Sequence, residues 1–277
     1  MTLQGKVALV TGGGRGVGAA TAKLLAARGA RVGVNYLSNE HAAKAVVAEI
    51  IAASGQAQAI QADVRDARQV AQLVAEVVEA YGRIDILVSN AAMHSVLVPF
   101  EQITWEEFSQ RVNDELCAAF NVTKAVLPMM ERQQCGRLIY IASEHARGPA
   151  LPGSIGHGTA KAALVTFAKY LAYELGPRGI TANVVSPAMV ETERNAAFLP
   201  ESVKQRVAAS TPLGRVARPE DVARVIAFFA DDDSGFMTGT YAPVTGGLGL
   251  SRRGIIPSME GRSHREGITE ADMKAER

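Results

Sequence analysis

Val7-Ala8-Leu9-Val10-Thr11-Gly12-Gly13-Gly14-Arg15-Gly16-Val17-Gly18 is the stretch on which the reading of this chain turns. It opens on a short apolar run, the length of a buried strand. It closes on Ala19-Ala20-Thr21-Ala22-Lys23-Leu24-Leu25-Ala26-Ala27, which is rich in helix formers. Strand, glycine turn and helix together are the setting a phosphate-binding loop needs. Glycine lets the backbone turn where a Cβ would collide and lets an anion approach closely. The helix that follows aims free N–H groups and its positive dipole end at that anion.

Outward from this loop, strand and helix patterns alternate. Strands are read at 31–36, 56–61, 84–88, 137–142, 181–185 and 241–244. Helices are read at 39–53, 66–81, 104–132, 159–175 and 219–230. Ala43, Val46, Val47, Ile50 and Ile51 make one apolar face of the second helix, and Val70, Leu73, Val74, Val77 and Val78 one face of the third. Thr104, with Glu107 three residues on, has the spacing of a capping box. Gly176-Pro177 stops the helix before it, and Pro219 starts the last one. Pro243 marks the last strand as an edge strand. The alternation implies an α/β fold of the Rossmann type. It is a doubly wound, seven-stranded parallel sheet with helices on both faces, in one domain spanning about 1–250. The segment 190–210 has the polar composition of a substrate lid, and 251–277 is a polar C-terminal tail.

The chain has 277 residues, of which 48% are hydrophobic and 21% charged, an ordinary globular composition with ample material for a core. A net charge of +1 offers no electrostatic case for nucleic acid or an anionic membrane. Cys117 and Cys135 form neither a disulfide framework nor a metal-ligand cluster. No apolar stretch reaches membrane-spanning length. The expectation is a cytoplasmic protein with reduced thiols and no bound metal.

With these residues in view, the chain resembles the short-chain dehydrogenase/reductases, most closely the 3-oxoacyl-carrier-protein reductase-like members. The resemblance spans about residues 5–249 and rests on the Thr-Gly-x-x-x-Gly-x-Gly loop, Asp63-Val64, Asn90-Ala91, Asn113, Ser143, Lys161, Pro187 to Thr192, and Arg218-Pro219-Glu220-Asp221. It implies an NADP(H)-dependent oxidoreductase acting on a small carbonyl or alcohol, or on an acyl thioester. The cofactor would lie on Gly12, Gly14, Arg15, Gly16, Val17 and Gly18, with Asn35, Tyr36 and Ser38 at the end of the second strand. Asp63 and Val64 would touch the adenine, and Asn90 and Ala91 the adenosine and nicotinamide side. Lys161 would hold the nicotinamide ribose. Pro187, the backbone of Val190, and Thr192 would hold the carboxamide. Asn113, Ser143 and Lys161 would be catalytic, Asn113 by interrupting its helix and anchoring a water. The family usually assembles as a homotetramer through the helices equivalent to 104–132 and 159–175.

NAD enzymes of this fold usually end the second strand with an acid that binds the ribose hydroxyls. Asn35-Tyr36 stands there instead, and Arg15 is placed to pair with a 2′-phosphate. NADP(H) is therefore expected over NAD(H).

Three departures from the family pattern stand out. Its Asn-Asn-Ala-Gly reads Ser89-Asn90-Ala91-Ala92, and its Pro-Gly reads Pro187-Ala188. Its active-site Tyr-x-x-x-Lys reads His157-Gly158-Thr159-Ala160-Lys161, after a loop about one residue longer than usual. Imidazole is a competent general acid or base near neutral pH. It is also shorter than a tyrosine, and a charged Lys161 disfavours imidazolium. His157 is thus a candidate catalytic residue with three roles open: proton donor, hydrogen-bonding group, or relic. An imidazolium donor would make reduction fastest in mildly acidic buffer. A Tyr-independent enoyl- or dienoyl-thioester reductase, a non-redox enzyme, and a cofactor-binding homologue without turnover are the alternatives. Met93, His94, His145, Leu151 and Met189 are expected around the substrate.

Overall fold

The computed structural model describes residues 2–149, 151–193, 195 and 200–250. The apolar runs become the strands β1 (Val7–Val10), β2 (Arg31–Tyr36), β3 (Gln56–Gln61), β4 (Ile86–Ser89), β5 (Gly136–Ile141), β6 (Ile180–Pro187) and β7 (Tyr241–Val244). They form one sheet in the order β3-β2-β1-β4-β5-β6-β7, every neighbouring pair parallel. β1, β5 and β6 are buried along their whole length, as strands covered on both faces must be.

Seven helices are described: α1 (Gly16–Ala27), α2 (Glu40–Ala52), α3 (Ala67–Tyr81), α4 (Trp105–Gln133), α5 (Ile155–Leu175), α6 (Glu201–Ser210) and α7 (Pro219–Ala230). Two apolar layers flank the sheet. One takes Ala22 and Leu25 from α1, Val46 and Ile50 from α2, and Val222, Ile226 and Phe229 from α7. The other takes Val70, Leu73 and Val77 from α3, Val122 and Val126 from α4, and Leu164 and Ala168 from α5. This is the doubly wound single domain that the alternation implied.

Two boundaries bear on the site. The sequence places the start of α5 at Thr159, because Gly156 and Gly158 are poor helix formers. The structure begins it at Ile155, so His157 sits in the first turn and Lys161 one turn later on the same face. α4 runs unbroken from Trp105 to Gln133, through Asn113. It starts from the expected capping box, with Thr104 Oγ1 accepting from Glu107 N at 3.2 Å and Glu107 Oε2 accepting from Thr104 N at 3.0 Å. In the segment read as a lid, 201–210 is helix, and 194 and 196–199 lie outside the described residues, as does the tail 251–277.

From β1 the chain runs outward to β2 and β3, then returns to add β4 on the other side of β1. Ligands of open α/β sheets bind at the carboxyl ends of the strands where the order reverses. Here that place lies above β1 and β4.

Candidate active site

A cleft of about 680 Å³ opens at this switch point. Gly12, Gly14, Arg15, Gly16, Val17, Gly18, Asn35, Tyr36, Ser38, Asp63, Val64, Asn90, Ala91 and Thr192 all line it. Two glycines of the loop are required sterically. Gly12 has φ +61°, and a Cβ there would lie 2.9 Å from Ala91 Cα; a Cβ at Gly18 would lie 2.2 Å from the Gly12 carbonyl oxygen. Thr11 and Asn90 bind the loop to the end of β4. Thr11 Oγ1 accepts from the backbone N–H groups of Asn90 and Ala91 at 2.9 and 3.0 Å. The Asn90 amide donates to the carbonyls of Thr11 and Gly12 at 2.9 and 3.2 Å.

The residues at the end of β2 divide their work. Asn35 is buried and faces inward: Oδ1 accepts from Gly12 N at 3.3 Å, and Nδ2 donates to the Ala62 carbonyl at 3.0 Å. It braces the glycine loop against β3. Ser38 is exposed on the cleft lining, and so is Arg15, which has no ion-pair partner among the described residues. α1 has no acidic residue in its first turn and no side-chain cap, so its N-terminal N–H groups are left for a ligand. Asp63 is engaged by Arg65, whose Nη2 lies 2.6 Å from Oδ2; that pairing holds the carboxyl below its ordinary range. Thr192 closes over the loop, its Cγ2 3.1 Å from where a Gly16 Cβ would stand. Pro187 ends β6, and Val190 is buried, pairing with Ala217.

Beyond β5, a second constellation gathers on α4, α5 and the 3-10 turn Glu144–Ala146. Ser143 caps that turn, and its Oγ lies 3.1 Å from His145 Nδ1. The rings of His145 and His157 meet edge to face, 5.1 Å between centroids. Tyr241 braces the turn from β7, its hydroxyl 2.5 Å from Ser186 Oγ and 3.0 Å from Glu144 Oε1.

Lys161 is buried and donates to Glu115 Oε1 at 2.8 Å and to the Ile141 carbonyl at 2.7 Å. Arg111, one turn before Glu115 on α4, places Nη2 2.8 Å from Glu115 Oε2 and 3.2 Å from His157 Nδ1. Burial works against the Glu115 charge, but Lys161 and Arg111 outweigh it and hold the carboxyl ionised, below its ordinary value. His157 goes the other way. Burial first, then Lys161, Arg111 and His145, push its ring down to about 3, with Glu115 opposing. Burial also lowers His145. Both rings are therefore neutral at ordinary pH. Removing one partner of a buried ionic group typically costs about 3–5 kcal/mol, because the other charge is stranded.

The structure does not bring Asn113 to this group. Asn113 is exposed, and the helix shows no break there. The helical period turns position 113 away from the sheet and turns Arg111, Glu115, Ala118, Val122 and Val126 toward it. Arg111 and Glu115 are the residues that sequence reasoning missed. Their signal was present: an Arg–Glu pair at i and i+4 inside the core-facing stripe of an amphipathic helix, where charge is costly unless paired.

A family model described as enoyl-(acyl carrier protein) reductase matches residues 12–249. A 3-oxoacyl-[acyl-carrier-protein] reductase of Synechocystis sp. is 40% identical over 249 residues, 89% of this chain and 98% of that protein. The corresponding reductase of Thermotoga maritima is 36% identical, over 90% of this chain and 99% of its own. Among solved structures, a short-chain dehydrogenase/reductase from Serratia marcescens superposes with a TM-score of 0.82 at 33% identity, covering 90% of this chain and 99% of that one.

Proposed function

The chain belongs to the short-chain dehydrogenase/reductase family of oxidoreductases, and from that premise we propose that it is an NADP(H)-dependent reductase of a carbonyl group, on a small molecule or an acyl thioester, with His157 at the place of the family's tyrosine. The observation that carries the reading is the cleft at the switch point, about 680 Å³ in volume and floored by a glycine loop with no room for a Cβ at Gly12 or Gly18. These residues fit a dinucleotide. The uncapped start of α1 receives a pyrophosphate, and Arg15 and Ser38 offer donors to a 2′-phosphate where no acid repels it. The working compartment in this reading is the reducing cytoplasm, in keeping with two free thiols.

When bound, the nicotinamide supplies or accepts a hydride. The rest of the chemistry belongs to the protein. Lys161 spends two of its three N–H donors on Glu115 and Ile141 and keeps one for a ribose hydroxyl. Ser143 Oγ and the His157 ring both meet His145, and in this reading they offer hydrogen bonds to a substrate oxygen, which stabilises charge developing there. Reduction of a conjugated C=C in an enoyl or dienoyl thioester is a second reading. It is favoured by the neutral His157, which polarises a carbonyl without giving up a proton.

The test pairs binding with product analysis. NADPH is expected to bind more tightly than NADH, and Arg15→Ala to weaken NADPH about tenfold or more, the worth of a charge-assisted hydrogen bond, with NADH little changed. Equal affinities in the wild type would overturn the cofactor assignment. Consumption of NADPH with ketones, enones and acyl thioesters, followed by product identification, separates the two reductions. No turnover with any of them would leave a cofactor-binding homologue.

A further inference from the structure

Arginine is a donor only; it has no lone pair to offer and does not lose its proton in proteins. The 3.2 Å contact between Arg111 Nη2 and His157 Nδ1 therefore has one direction: the guanidinium donates and Nδ1 accepts. A neutral imidazole that accepts at Nδ1 carries its hydrogen on Nε2. The surrounding charges support the same state. Arg111 and Glu115 face His157 from α4, Lys161 from α5, and His145 from the 3-10 turn. Two of these groups are cations and one is an anion, so a positive ring would be the third cation around a single carboxylate. Glu115 holds both cations in place, Lys161 by a hydrogen bond and Arg111 by an ion pair. The Nε and Nη1 groups of Arg111 are buried without a partner among the described residues, so its Nη2 is the end that is engaged.

We propose that Arg111 is a positioning residue that fixes His157 as the neutral Nε2–H tautomer, so that His157 meets the substrate oxygen as a hydrogen-bond donor and not as an imidazolium acid. The proposal deepens the reading of His157 as the substrate-facing group and rests on it. A ring held this way has no proton to spare, because Nδ1 cannot take a replacement from a guanidinium. The alkoxide formed by hydride addition to a ketone then takes its proton from a water molecule, leaving hydroxide to the solvent. Reduction accordingly gains nothing from mild acid, in contrast to the expectation for an imidazolium donor.

The experiment is nitrogen NMR of the full-length chain labelled at histidine, with the His157 signals identified by their loss in His157→Phe. In the wild type Nε2 is expected protonated and Nδ1 bare, unchanged from about pH 5 to pH 8, the span over which an ordinary histidine titrates. Arg111→Met removes the donor at nearly the same volume; the Nδ1–H form, absent before, is expected to appear, and the ring to titrate at higher pH. Arg111→Lys, which keeps a donor and a charge, is expected to restore the bare Nδ1. A protonated Nδ1 in the wild type overturns the proposal, and so does an unchanged single tautomer in Arg111→Met. If Arg111→Met does not fold, the wild-type spectrum still decides. Where substrate is turned over, the wild-type rate is expected to lack an acid-favoured limb between pH 5 and 8, and Arg111→Met to acquire one. A wild type that shows the Nε2–H tautomer but turns over nothing contradicts the proposed function and leaves the role of Arg111 standing.

Discussion

His157 is a residue whose protonation the fold opposes, and that opposition has a thermodynamic consequence. Its pKa is about 3 in the folded chain, against about 6.5 for an ordinary histidine in an unfolded one. As pH falls from 6.5 toward 3, the unfolded chain takes up this proton and the folded chain does not. Stability contributed by keeping His157 neutral is complete above about pH 6.5 and is lost progressively below it, at up to about 1.4 kcal/mol per pH unit. His157→Phe cannot titrate, so its stability should fall less between pH 7 and pH 4.5 than that of the wild type. Urea unfolding at the two pH values measures this. His145 contributes a loss of the same sign in both proteins. Equal losses would show that His157 is not held neutral by burial. The same residue explains a difficulty for restoring tyrosine chemistry. In His157→Tyr the new phenol would face a lysine already ion-paired to Glu115 at 2.8 Å, and the carboxylate offsets part of the charge that would favour a phenolate.

Among the elements, α4 and α5 carry the ionic group around His157, and α7 supports the side of the cleft that the glycine loop forms. α7 packs against α1, the helix that follows the glycine loop, and Ala217 just before it accepts from Glu191 N at 2.8 Å, anchoring the segment next to Thr192. Asp221 secures the start of α7. Its Oδ2 accepts from Arg218 N at 2.8 Å and from Arg215 Nη1 at 2.6 Å, and the arginine holds its carboxyl down at about 2. Asp221→Ala removes a carboxylate from a helix N-terminus, where such a cap is worth about 1 kcal/mol. We expect the melting temperature to drop by about 2–4 °C, read by circular dichroism at pH 7. In the wild type this contribution is present above the ordinary carboxylate pKa and disappears as pH falls through about 2. An unchanged melting temperature would mean that Arg218 N is satisfied without Asp221.

At the scale of the whole molecule, α4 and α5 pack side by side and leave large aromatic side chains on the outside. Phe120 on α4 is 53% exposed, and Tyr170 and Tyr173 on α5 are 65% and 85% exposed. Faces of this kind usually meet a partner. We expect a homotetramer, which light scattering at micromolar concentration should show as four chain masses. Phe120→Glu with Tyr173→Glu should reduce that mass by burying like charges at the interface, while leaving the circular dichroism of the fold intact. A monomeric wild type would contradict the assembly.

The fold was legible in the sequence because its signals are local. Four apolar residues before three glycines, an apolar face repeating at helical spacing, a threonine three residues before a glutamate: each is satisfied by neighbours in the chain, so each can be read without knowing where the chain goes next. The cleft at the switch point was legible for the same reason, since most of it is built from the turns that end consecutive strands. Even there the sequence did not show that Asn35 faces inward to brace the loop or that Asp63 is taken up by Arg65. The group around His157 depended on the tertiary structure. Arg111 meets His157, and Glu115 meets Lys161, each across 46 residues of sequence, and both contacts exist because α4 and α5 pack face to face. Asn113 drew attention by residue type and motif, but 3.6 residues per turn carry it to the solvent side and carry Glu115 to Lys161. Helix phase and helix packing, two quantities no single residue carries, decided which side chains share the site and in which protonation state they meet.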